Sequence, residues 1–194
     1  MRRHRPAFSL IEVAVAISLA ALAGATLMMG TFSSLQSTHD SQDQTLAQGM
    51  AQQLMDEVVG NRYLPDSGNA YPTTIGPDSG ETGTSRQLFD NIGDYNGYRC
   101  KPPKDFWGNV LGTDNGVGGV RDPNFQPPTG AFNNWQQQVD VYYVSETNLA
   151  TRLSSGTSDY QAVEVRIVYI DPVTSKSRQL AFLRRVVTYV PALP

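Results

Sequence analysis

From Phe8 to Thr38 the only formally charged side chain is Glu12, and the 20 residues from Val13 to Phe32 are dominated by Ala, Leu, Val, Ile and Met. At 1.5 Å per residue a helix of that length spans roughly the ~30 Å hydrocarbon core of a bilayer. No soluble fold readily buries such a run at one terminus, so it predicts a membrane-spanning helix. Arg2, Arg3 and Arg5 precede it, and no Lys or Arg follows until Arg62. That asymmetry places the N-terminus in the cytoplasm and the remainder across the membrane.

Three ordinary segments compete for this stretch. A cleavable secretory signal accounts for the basic start and for the small-residue triplets Ala21-Leu22-Ala23 and Ala23-Gly24-Ala25. It leaves unexplained an acid at Glu12 and an apolar run that continues through Leu27, Met28, Met29 and Phe32. A twin-arginine signal rests on Arg2-Arg3 alone. A plain anchor explains the length but not Glu12. A carboxylate in hydrocarbon costs on the order of a few kcal/mol, so an intramembrane acid calls for a functional partner.

The residues Pro6-Ala7-Phe8-Ser9-Leu10-Ile11-Glu12-Val13 resemble the prepilin processing motif of type IV pilins and of the pseudopilins of type II secretion. There a small residue precedes Phe-Thr/Ser-Leu-Ile/Val-Glu. The likeness is close over about residues 5–32 and looser beyond. It implies that a prepilin peptidase cuts between Ala7 and Phe8 and methylates the new amine of Phe8. The family most often has Gly before the cut; here Ala7 is the small residue. On this resemblance residues 1–7 are a leader, 8–32 a transmembrane and filament-core helix, and 61–194 a periplasmic domain. The partners it implies are the peptidase, other pilins or pseudopilins, an inner-membrane assembly platform and membrane lipid. It also implies a single pass through a bacterial inner membrane before incorporation into a filament. Glu12 argues against the tip-type minor pseudopilin, which typically lacks this acid.

Elementary electrostatics agrees with that assignment. Cleavage leaves an α-amine whose pKa is ordinarily ~7.7–8.0, cationic at neutral pH. Glu12 of an incoming subunit can then pair with the Phe8 amine of a neighbour where the effective dielectric is low and attraction strong. An uncut chain lacks that amine. Small residues at Ala14, Ala16, Ala20, Ala21, Ala23 and Gly24 permit close helix approach, which decides association where lipid removes the hydrophobic driving force.

An amphipathic continuation is expected over 33–60. Leu46, Met50, Leu54 and Val58 recur every fourth residue beside Ala47, Ala51, Met55 and Val59, which makes a stripe for a covering domain. Gly60 is the expected stop, as a left-handed cap. A helix unbroken from Phe8 to Val59 would be about 78 Å long, with Gly24 and Gly30 as points where it can bend.

Residues 61–130 hold 12 of the 17 glycines and 8 of the 12 prolines. They also carry Tyr63, Tyr71, Phe89, Tyr95, Tyr98, Phe106, Trp107 and Phe125. Disordered tracts are poor in aromatics, so long ordered loops are expected over 61–135, with one short helix from Ser85 to Ile92 ended by Gly93. Strand alternation appears at Val139, Val141 and Tyr143, over Tyr160 to Ile170, and over Gln179 to Val190, with a turn at Asp171-Pro172-Val173-Thr174-Ser175-Lys176. The fold class is α+β: a long N-terminal helix packed on a C-terminal antiparallel sheet, a pilin-like roll.

Function classes narrow further. Without the three leader arginines the chain has 12 basic and 18 acidic side chains, a balance that opposes general nucleic-acid binding. Cys100 is the single cysteine, so no intrachain disulfide forms, and an inert thiol is the expected reading. Arg166, Lys176, Arg178, Arg184 and Arg185 make either a basic patch near the hairpin or a solvated strand face, the second preferred. Asp90, Asp94 and Asn96 supply oxygen donors at short spacing, and structural calcium is known in some pseudopilins. The EF-hand pattern is missing, and turn chemistry explains the same residues. No cofactor is otherwise expected. No zinc-ligand pair, phosphate-binding loop or nucleophile–base pair stands out, so the chain reads as a structural and assembly subunit, not an enzyme. The competing reading is an exported periplasmic binding protein or enzyme carrying an ordinary signal or anchor.

Overall fold

The computed structural model describes residues 9–63, 71–81 and 85–190. Two units make up the chain, the first ending at Asp43 and the second running from Gln44 onward. Helix α1, Leu10–Gly60, has 51 residues and continues through Gly24 and Gly30.

In the second unit the buried face of α1 is Ala47, Ala51, Leu54, Met55 and Val58. This differs slightly from the every-fourth-residue stripe: Leu46 is half exposed, while Met50 and Val59 sit at the margin. At 3.6 residues per turn a four-residue step advances about 40° around the helix. The row from Leu46 to Val58 therefore drifts across the face, and the packed centre takes residues spaced by both three and four. Gly60 ends the helix without a left-handed φ. The chain leaves instead through a tightened turn, Asn61 N–H to Val58 C=O at 3.2 Å.

The sheet runs β1 (Arg99–Cys100), β2 (Trp135–Tyr143), β3 (Tyr160–Ile170) and β4 (Ser177–Thr188), neighbours in that order and antiparallel throughout. Val139 stands opposite Val165 and Val141 opposite Val163. Period-two alternation thus carries Trp135, Val139, Val141, Val163, Val165 and Ile167 to the face that shares a core with α1. Between Ile167 and Val168 the register against β4 shifts, and Leu180 is the extra residue. This bulge lets Ala181 and Leu183 join the same core. β1 was not expected: two residues followed by Lys101-Pro102-Pro103 are too short to show alternation.

The glycine- and proline-rich segment is ordered around rings, as its aromatics suggest. Phe89 meets Tyr95 edge-on with centroids 5.0 Å apart, and Tyr98 at 6.2 Å; all three are buried. Trp107 and Phe125, by contrast, are exposed. The helix expected from Ser85 to Ile92 is absent. Asn91 caps a 3₁₀ turn, Ile92–Tyr95, with a reciprocal box: Asn91 Oδ1 accepts from Gly93 N–H at 2.7 Å and Asp94 Oδ2 from Asn91 N–H at 2.9 Å. A cap at Asn91 starts a helical turn where sequence periodicity had ended one.

Candidate functional site

The first candidate lies at the start of α1. Every residue from 9 to 39 is exposed, including Leu10, Ile17, Met29 and Phe32. Among the described residues α1 is the one helix long and apolar enough to cross a membrane, and none of its most apolar window is buried. The polar interruptions are satisfied locally. Ser18 Oγ donates to the Ala14 carbonyl at 2.8 Å, Thr26 Oγ1 to Ala23 at 2.9 Å and Thr31 Oγ1 to Met28 at 2.8 Å. Bonded in this way, these hydroxyls add little to the cost of an apolar surrounding.

Glu12 has a local role that the processing motif did not reveal. Its Oε2 accepts the Ser9 N–H at 2.8 Å, and Ser9 Oγ accepts the Glu12 N–H at 3.3 Å. This is a capping box, Ser-x-x-Glu, at a helix start where backbone donors otherwise lack partners. The signal stood in plain sight as Ser9-Leu10-Ile11-Glu12. Ala7 and Phe8, the expected cleavage residues, lie outside the described residues, as does the leader.

The second candidate is a buried polar cluster in the second unit. Arg86 is 1% exposed. It grips Glu57 of α1 through two parallel bonds, Nε to Oε1 at 2.6 Å and Nη2 to Oε2 at 2.8 Å. Its Nη1 donates to Tyr98 Oη at 2.7 Å and to the Lys104 carbonyl at 3.2 Å. Tyr95 Oη donates to Glu57 Oε1 at 3.0 Å and accepts from Asn61 Nδ2 at 2.9 Å. Burial pulls the Arg86 pKa down, but the bonded Glu57 carboxylate outweighs it and holds the guanidinium above its ordinary range. Burial and then the Glu57 charge push the Tyr95 phenol up. These bonds clamp α1 to the irregular segment.

The residues first considered for calcium are used structurally. Asp90 pairs with Arg62 at 2.7 Å. Asn96 spends both ends of its amide, Nδ2 to the Ile75 carbonyl at 2.8 Å and Oδ1 from the Val141 N–H at 3.1 Å. Asp94 serves the cap. Cys100 is buried, with Sγ 3.3 Å from the Pro102 carbonyl.

The basic residues of the hairpin do not form one patch. Arg185 reaches Asp56 at 3.2 Å, and Arg178 lies over the Tyr169 ring. Arg166 and Arg184 belong to a ladder across the sheet face opposite α1. Asp140 there bridges Arg99 at 2.5 Å and Arg166 at 2.6 Å, and Glu164 joins Arg166 to Tyr142 and Arg184. Burial raises the Asp140 pKa, but Arg99 and then Arg166 outweigh it and hold the carboxyl below its ordinary range. A depressed acid stabilises the fold above the unfolded value of about 3.9 and loses that contribution as pH falls through the folded value. Asp140→Asn should therefore melt below the native chain at neutral pH, with the gap narrowing as pH drops under about 4. Melting curves across pH check it; a gap that stays constant would contradict the pairing.

Comparison of the chain with family models, curated proteins and solved structures returns no match.

Proposed function

We propose that this chain is a structural and assembly subunit, a minor pseudopilin or minor pilin, of a type II secretion or type IV pilus-like filament. In this reading a prepilin peptidase cuts between Ala7 and Phe8. α1 holds the chain in the bacterial inner membrane with the second unit in the periplasm. An assembly platform then moves the helix from lipid into a bundle of neighbouring subunits. The observation that carries the reading is Glu12, the one charge between residues 8 and 38, on a helix whose first half is apolar and exposed. The back-bonded Ser18, Thr26 and Thr31 and the small residues Ala14, Ala16, Ala20, Ala21, Ala23 and Gly24 support it, because both lipid and close helix neighbours suit such a surface.

Mass spectrometry of the mature N-terminus tests it. The expected first residue is N-methyl-Phe8. A mature chain beginning at Gly24 or Thr26 would mark a secretory signal and overturn the proposal.

A further inference from the structure

Gln161, on β3, is 2% exposed, and among the described residues its Oε1 is the one buried side-chain polar atom without a hydrogen-bond partner. The rest of its amide is committed, since the side chain bonds both Tyr63 and Tyr143. Tyr143 Oη donates to the Pro72 carbonyl at 3.1 Å, and Tyr63 Oη to the Ser158 carbonyl at 3.5 Å. Each phenol has one proton, so both meet Gln161 as acceptors. They take its two amide hydrogens and leave the carbonyl oxygen without a donor. A buried acceptor in that state is costly.

Gln161 also lines a cavity of about 80 Å³ within the second unit. Gln161 and Asn91 are buried and form its floor, whereas Thr74 and Asp78 are exposed and form its mouth. Asn91 Oδ1 is already taken by the Gly93 N–H, so Gln161 Oε1 is the floor acceptor that awaits a donor. Among the described residues the walls carry one acid, Asp78, and no Lys, Arg or His.

An occupant must therefore bring a hydrogen to the floor, and a carboxylate at the mouth favours one with positive charge. At the ~30 Å³ a water takes in the liquid, the cavity admits roughly two or three groups of that size. A primary ammonium with its first methylenes has that bulk and supplies both donor and charge. A quaternary ammonium has no hydrogen to give. We propose that this cavity binds a primary ammonium group, with one N–H donating to Gln161 Oε1 and the charge balanced by Asp78. The site lies wholly in the second unit, so it stands whether or not α1 enters a filament.

The test uses the full chain in detergent, titrated with n-propylammonium chloride and followed by thermal melting. The midpoint should rise with concentration, as a ligand of the folded state requires. Tetramethylammonium chloride, equal in charge but without an N–H, should raise it far less, as should n-propanol, a donor without charge. Gln161→Leu should lose the response. Asp78→Asn, on the exposed rim, should keep the fold and need about two- to fivefold more amine, the weight of an exposed ion pair. It carries the test if Gln161→Leu does not fold. A capped Gly-Lys-Gly peptide separates the two sources of such a head. A response to it assigns the site to a lysine of a partner chain, and a response to n-propylammonium alone to a free amine; both uphold the site. No rise at tens of millimolar n-propylammonium overturns it and leaves water in the cavity. An equal rise with tetramethylammonium or n-propanol, or one unchanged in both variants, overturns it as well.

Discussion

Arg86→Ala should destabilise the chain by about 3–5 kcal/mol, the usual consequence of removing one partner from a buried ion pair. The substitution leaves the Glu57 carboxylate, the Tyr98 hydroxyl and the Lys104 carbonyl without a donor that all three share. It also removes the cation 5.1 Å from the Tyr98 ring centroid. Because Tyr95 Oη donates to the same carboxylate and itself accepts from Asn61, the loss should spread to the turn at Ile92–Tyr95. Combining Arg86→Met with Glu57→Leu should cost less than the two single changes summed, since no charge is then stranded. Urea unfolding of the full chain, followed by tyrosine fluorescence, reads these values. A change under about 1 kcal/mol for Arg86→Ala would mean the clamp contributes no more than an exposed pair.

On the proposed pilin-like function, Glu12→Ala should permit processing and impair entry into the filament. The structure adds a way to separate two jobs of this carboxylate. Glu12→Gln keeps an acceptor for the Ser9 N–H, because Gln serves in a capping box as Glu does. It cannot form an ion pair with the Phe8 amine of a neighbour. If charge pairing sets the register, Glu12→Gln should fail to incorporate as completely as Glu12→Ala. If the cap alone matters, Glu12→Gln should assemble normally, and the register argument falls. Quantifying each variant in purified filaments, against the amount of processed subunit in the membrane, gives the result.

Periodicity made part of this structure readable in advance. The alternation at Val163, Val165 and Ile167 records a face that packs along its length, and the stripe from Leu46 to Val59 one that packs at its centre, with Leu46 left half exposed. What escaped was pairing without a period. Glu57 and Arg86 are 29 residues apart, and nothing in a segment rich in glycine and proline marks one arginine as buried. The turn at Ile92–Tyr95 was misplaced for a related reason: Asp94 looked like an oxygen ligand, and the cap it makes with Asn91 uses it on the backbone. At Glu12 the charge is conspicuous in an apolar run, whereas the cap with Ser9 shows only as a short Ser-x-x-Glu spacing.

The bulge at Leu180 has a meaning beyond the core. β4 has a strand on one side only among the described residues, so its other flank presents backbone groups to any passing chain. Open flanks of this kind are where sheets from separate molecules fuse into aggregates. An extra residue twists the strand away from the straight ladder such fusion requires. In the filament proposed above, that twist would guard neighbouring copies against sheet-to-sheet sticking and leave orderly association to α1.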